Sequence, residues 1–128
     1  MIAGAVQKVS EMKIRIQLEG HSVTATLEES QAAREFLSLL PLTLTLTDYN
    51  STEKVADLPR KLSTKGAPAG VDPDIGDIAY YAPWGNLAIF YRDFGYSTAL
   101  VRLGRLDSGV ELLSGRGPLR VTIERAQR

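Results

Sequence analysis

Short runs of alternating hydrophobic and polar residues dominate the chain. Ile14, Ile16 and Leu18 alternate with Arg15 and Gln17, the period of two expected of a strand with one buried face. Glu19-Gly20-His21-Ser22 reads as a turn, and Val23, Ala25 and Leu27 then alternate with Thr24 and Thr26, completing a hairpin. Ala33, Phe36, Leu37 and Leu40 change to helical spacing, with Arg34, Glu35 and Ser38 on the other face. Glu28 and Glu29 suit a helix N-terminus, Ser30 is its N-cap, and Pro41 ends it. Leu42, Leu44 and Leu46 alternate with three threonines as a further strand running into Asp48-Tyr49-Asn50.

Beyond it the pattern predicts a short strand from Lys54 to Leu58, a long Gly/Pro/Ala-rich loop from Ser63 to Asp74, and a second hairpin. That hairpin pairs Asp77 to Ala82 with Leu87 to Tyr91 around Pro83-Trp84-Gly85-Asn86. Strands over Leu100 to Leu106 and Leu119 to Glu124 follow, with a short helical turn from Gly109 to Leu113 between them. Many short strands, one principal helix and no internal repeat predict a mostly β protein that closes into a barrel rather than a βαβ sheet. The domain is expected over residues 12–126. Residues 1–11 form an N-terminal extension, read equally as a strand, a tail or sequence upstream of the domain.

Fifteen basic and fifteen acidic residues cancel, so there is no field for gathering phosphate backbones, and no nucleic-acid partner is expected. The late arginines Arg102, Arg105, Arg116, Arg120, Arg125 and Arg128 interleave with Asp107, Glu111 and Glu124 as a mixed face. The absence of cysteine removes disulfides and thiolate chemistry and is compatible with a cytoplasmic location. No apolar run approaches the ~20 residues of a membrane-spanning helix, and the N-terminus does not read as a signal peptide, so a soluble protein without a membrane partner is expected.

The catalytic and metal patterns are incomplete. His21, the single histidine, sits in a polar turn. Asp72-Pro73-Asp74-Ile75-Gly76-Asp77 resembles the start of a calcium loop, but its glycine comes too early and Ala82 stands where the glutamate belongs. Gly95-Tyr96-Ser97-Thr98-Ala99 lacks the following helix and downstream histidine of a nucleophile elbow. Gly115-Arg116-Gly117 lacks the lysine and helix of a phosphate loop, and Asn50-Ser51-Thr52 is only a formal glycosylation acceptor. No metal or cofactor is expected. Seven of the nine aromatics, Tyr80, Tyr81, Trp84, Phe90, Tyr91, Phe94 and Tyr96, fall within seventeen positions. Alternation sends half of them inward and leaves the rest as an apolar surface with polar tips.

The run from Gly76 to Tyr91 resembles the signature of bacterial cyclophilin-like proteins, small barrels related in fold to the cyclophilin peptidyl-prolyl isomerases. The opening hairpin, the Phe36–Pro41 helix end and Leu58-Pro59 fit the same order. Leu103-Gly104-Arg105-Leu106-Asp107-Ser108-Gly109-Val110-Glu111-Leu112-Leu113 is similar to a strand–turn–helix segment of true cyclophilins, glycines included. The resemblance implies a cyclophilin-like closed β-barrel with one principal helix and a short helical turn near the C-terminus. It does not carry the isomerase residues over. Leu100 stands where true cyclophilins have a histidine, Leu87 where a glutamine is expected, and only Arg60 and Arg92 offer loose substitutes for the catalytic arginine.

The leading expectation is a non-catalytic binding module. A peptide or small planar ligand would lie against Tyr81, Trp84, Phe94 and Tyr96, with Arg60 or Arg92 reading a carbonyl or carboxylate. A weak isomerase would need one of those arginines facing the groove. A small-molecule enzyme would need a buried carboxylate of raised pKa, with Asp48, Asp57 and Asp93 as candidates. A strand edge beside the aromatic run would suit homodimerisation.

Overall fold

A computed structural model describes residues 12–126 other than residue 116. The N-terminal extension, and Arg116 and Arg128 of the late arginine group, lie outside the described residues. The chain opens with strands β1 (Lys13–Leu18) and β2 (His21–Leu27), then helix α1 (Gln31–Ser38), β3 (Leu42–Tyr49) and β4 (Glu53–Asp57). It continues through β5 (Gly70–Val71), β6 (Asp77–Tyr81), β7 (Asn86–Phe90), β8 (Ser97–Thr98) and β9 (Leu100–Leu106). A 3₁₀ turn (Val110–Leu113) and β10 (Leu119–Arg125) complete it.

Eight of these strands close into an antiparallel barrel in the order β1-β10-β3-β4-β7-β6-β9-β2, and β5 and β8 form a separate two-stranded ribbon. All eight barrel strands match those that the sequence pattern predicts. The first turn is tighter than expected. His21 pairs with Leu18, so His21 and Ser22 belong to β2 and only Glu19 and Gly20 turn. The two strands that carry most of the aromatic run have no free edge, because β6 lies between β7 and β9, and β7 between β6 and β4.

Inward-facing side chains such as Ile14, Ile16, Leu46, Ile78, Leu87, Ile89, Leu103 and Ile123 fill the barrel and are almost fully buried. Helix α1 starts at Ser30, whose Oγ accepts from the Ala33 N–H (3.1 Å), and buries Ala32, Ala33, Phe36 and Leu37 in the same core. It covers the end of the barrel where β3 begins. The opposite end holds Lys54, whose buried Nζ donates to the carbonyls of Gly115 (2.6 Å) and Gly117 (3.1 Å). No helix among the described residues is long and apolar enough to cross a membrane.

The Gly104–Gly109 segment shows why those positions are glycine. A Cβ on Gly104 would strike the backbone of Thr26 and Leu27 on the neighbouring strand, so β9 and β2 approach only because it is absent. Gly109 enters the 3₁₀ turn at φ +85, where side chains are strained, and a Cβ there would meet Val23 Cγ1 at 2.5 Å.

Candidate functional site

Strands β6 and β7 are apolar on both faces, which an ordinary half-exposed barrel strand is not. Their outward residues Ala79, Ala88 and Phe90 form a second hydrophobic cluster with Leu100 of β9, flanked by Val55, Val71 and Tyr81. The register lays this face out in rows. Asp57, Asn86, Tyr81 and Leu100 stand side by side across β4, β7, β6 and β9. Val55, Ala88, Ala79 and Arg102 form the next row, and Glu53 and Phe90 the one beyond. The two alanines leave a depression that larger residues surround.

Four rings make its rim. Trp84, in the β6–β7 turn, meets Tyr49 and Tyr81 edge-on, with centroids 5.6 and 5.3 Å away. Phe94, in the loop after β7, packs on Phe90 at 5.8 Å. Trp84 and Phe94 remain 57% and 45% exposed, too much for side chains that serve only as core. Together they border a groove with a cavity of about 160 Å³, whose polar lining includes Asn50, Glu53, Asn86 and Ser97.

Two of those polar groups are out of balance with their surroundings. Asn86 is 5% exposed, and its Oδ1 has no hydrogen-bond partner among the described residues. A buried acceptor left in that state costs about 1–3 kcal/mol. Glu53 is buried, and among the described residues its carboxylate accepts one hydrogen bond, from Thr52 Oγ1 (3.0 Å). Loss of water raises its pKa above the ordinary glutamate value, the Asp48 charge adds to this, and the Thr52 bond offsets only part. The carboxylate of raised pKa that an enzyme would need is thus Glu53, not any of the three aspartates considered from sequence. Asp48 accepts from the Tyr91 hydroxyl, the Ser51 N–H (3.0 Å) and Lys54, which hold its pKa below the usual value. Asp57 and Asp93 are exposed.

The other expected site residues divide. Tyr81, Trp84 and Phe94 come together at the groove. Tyr96 is 62% exposed, does not line the cavity, and rests its hydroxyl beside Gly70 of the β5–β8 ribbon. Neither arginine lines it: Arg60 is exposed elsewhere, and Arg92 stands over the Tyr91 ring at 5.9 Å. Leu100, at the cyclophilin histidine position, does line the groove. Leu87, aligned with the cyclophilin glutamine, points into the barrel, and its neighbour Asn86 takes the outward face instead.

The remaining acidic motif is structural. The buried Asp77 carboxylate is held by Arg102 Nε (2.7 Å) and Arg105 Nε (3.2 Å), and Arg105 also reaches Asp74 at 2.8 Å. A larger cavity of about 320 Å³ lies at the start of α1, with Glu28, Lys65 and Arg102 around it. Opposing charges meet there and Arg102 is already committed to Asp77, so the smaller groove with its unpartnered acceptor is the candidate site.

The fold and the outer-face groove define the class: a closed eight-stranded antiparallel barrel with one principal helix and an aromatic-rimmed depression on its wall. Within that class, the chain belongs to the cyclophilin-like family, whose sequence model matches residues 16–124. A solved relative in fold is the hypothetical protein AF2241 from Archaeoglobus fulgidus, known from its solution structure. It superposes with a TM-score of 0.66 at 22% identity, over 91% of this chain and 96% of that one. No curated protein matches the sequence.

Proposed function

We propose that this protein is a non-catalytic binding module that takes a peptide or a small planar ligand into the groove bounded by Tyr49, Tyr81, Trp84 and Phe94. The exposed Trp84 and Phe94 rings over an apolar, alanine-floored depression carry the reading. Apolar pockets with a few convergent polar groups are the usual form of ligand sites. The isomerase alternative needs a guanidinium aimed into the groove, and neither Arg60 nor Arg92 lines it.

Trp84 is the single tryptophan, so its fluorescence and indole resonance report on this groove. Titration with fragments and with proline-containing peptides should shift the Trp84 signal without speeding cis–trans exchange of the peptides. Trp84→Ala should then weaken binding roughly 30-fold, the loss of about 2 kcal/mol typical of a central aromatic anchor. Accelerated exchange would instead make the protein an isomerase. A Trp84 signal that changes only with protein concentration would assign the rim to a second copy of the chain.

Glu53 supports a second reading, a small-molecule enzyme using a groove carboxylate as acid or base. Its mark would be turnover of a bound fragment, lost in Glu53→Gln while binding persists.

A further inference from the structure

Charge decides which ligands the groove can take. Glu53 is the direct cross-strand partner of Tyr49 on β3 and of Phe90 on β7. Such partners stand about 5 Å apart, and the three share the outer face because Lys54, next along β4, points into the barrel. Tyr49 meets Trp84, and Phe90 meets Phe94, at 5.6 and 5.8 Å between ring centroids. The carboxylate is thus flanked by both halves of the aromatic rim. Its Oε1 accepts from Thr52. Its Oε2 accepts nothing among the described residues, yet it is not closed to solvent as Asn86 Oδ1 is. Glu53 lines the groove and is buried elsewhere, so the contact Oε2 keeps with solvent is through the groove.

No lysine or arginine lines the groove to balance this charge. The nearby cations are engaged elsewhere, Lys54 on the Gly115 and Gly117 carbonyls and Arg92 over the Tyr91 ring. From sequence, Arg60 or Arg92 was to read a carbonyl or carboxylate; the groove presents the opposite polarity. A buried carboxylate without a counter-ion is costly, and a cation entering the groove supplies one. The rings favour the same sign, since a cation within about 6 Å of a ring centroid is attracted to its face. Trp84 stands at 84° to Tyr49 and 87° to Tyr81, so these rings form corners rather than a stack.

The kind of cation follows from what the groove offers it. A metal ion or a primary ammonium would surrender more water than one carboxylate oxygen and ring faces replace. A charge spread over an alkylated ring is weakly hydrated and loses little. The cavity of about 160 Å³ matches one that accepts a benzene ring. A peptide main chain would dock on a strand edge, and β6 and β7 have none.

We propose, building on the groove reading, that the ligand is a small planar organic cation, such as an N-alkylated aromatic ring, held against the Tyr49 and Trp84 rings beside the Glu53 carboxylate.

N-methylpyridinium, toluene and benzoate share one ring size and differ in charge. Each is titrated at neutral pH into the isotope-labelled full chain, with the Trp84 indole resonance as the readout. N-methylpyridinium should bind roughly tenfold more tightly than toluene, and benzoate should not bind. Glu53→Gln, which removes the charge and keeps the shape, should weaken N-methylpyridinium severalfold and leave toluene unchanged. Toluene or benzoate binding as tightly as N-methylpyridinium would overturn the cation preference while leaving the groove as a binding site. A lysine-bearing peptide that binds more tightly than N-methylpyridinium would overturn the choice of a small molecule. If no probe moves the Trp84 signal, this proposal falls. The groove reading falls with it only if the fragments and proline-containing peptides are silent too. The ranking of the three rings by the unaltered protein needs no variant, so it decides the matter even if Glu53→Gln does not fold.

Discussion

Glu53 occupies a position where the fold disfavours its charge. Burial raises its pKa in the folded protein, so the folded state holds its proton more tightly than the unfolded chain does. Its contribution to stability is therefore fully present below the unfolded pKa and lost as pH rises through the folded one. Glu53→Gln should be more stable than the parent at pH 7, and the advantage should vanish as the pH falls below the normal glutamate range. Urea melts of both proteins across that range would check it, and equal stability at pH 7 would refute it. Asp48 has the opposite sign. The Tyr91 hydroxyl, the Ser51 N–H and Lys54 lower its pKa, so its contribution is present above the unfolded pKa and drains away as pH falls through the folded value. Asp48→Asn should therefore destabilise at neutral pH and converge on the parent in acid, by the same melts. Neither Glu53 nor Asn86 stood out in the sequence. Asn86 reads as a turn residue and Glu53 as the position before a short strand, and their burial comes from tertiary packing that no local pattern announces.

At the scale of elements the sequence was far more legible. Alternation, apolar runs and turn residues together located every barrel strand, and the α1 cap and Pro41 stop bracket the helix as their local chemistry requires. The β5–β8 ribbon was not legible. Two-residue strands carry no periodicity, and Gly70 pairs with Thr98 only because tertiary contacts bring the two loops together. The groove was half legible: unbroken apolar residues in β6 and β7 announce two buried faces, while nothing local says which polar side chains will border the outer one. Gly104 is a stricter case, for it sits within the alternation of β9 yet is dictated by the adjacent strand. Gly104→Ala forces its methyl into the backbone of Thr26 and Leu27, at the seam where β9 joins β2. A loss of about 3 kcal/mol is expected, the upper range for overpacking. Gly115→Ala, whose Cβ would meet open space, is the control and should change little. Equal denaturant midpoints for the two variants would remove the steric explanation of the seam.

Across the whole molecule, one end of the barrel is covered by α1 and the other is tied by Lys54, and the second closure reaches the groove. Lys54 points inward with no exposure, binds the carbonyls of Gly115 and Gly117, and stands 3.6 Å from Asp48 Oδ1. Asp48 in turn accepts from the Ser51 N–H and so holds the β3–β4 turn, where Asn50 and Ser51 both adopt positive φ. That turn carries Asn50 and follows Tyr49, both lining residues of the groove. A buried cation inside the barrel thereby sets the position of a rim residue outside it. Lys54→Met keeps the apolar stem but leaves the two carbonyls without this donor and Asp48 without its nearby cation. Breaking a buried charged contact in this way should cost about 3 kcal/mol. It should also loosen the edge-on contact between Tyr49 and Trp84, so the Trp84 emission should change in the folded variant before any denaturant is added. Loss of stability with unchanged Trp84 emission would confine Lys54 to closing the barrel. A change in both would show that the groove is held in shape from the core behind it.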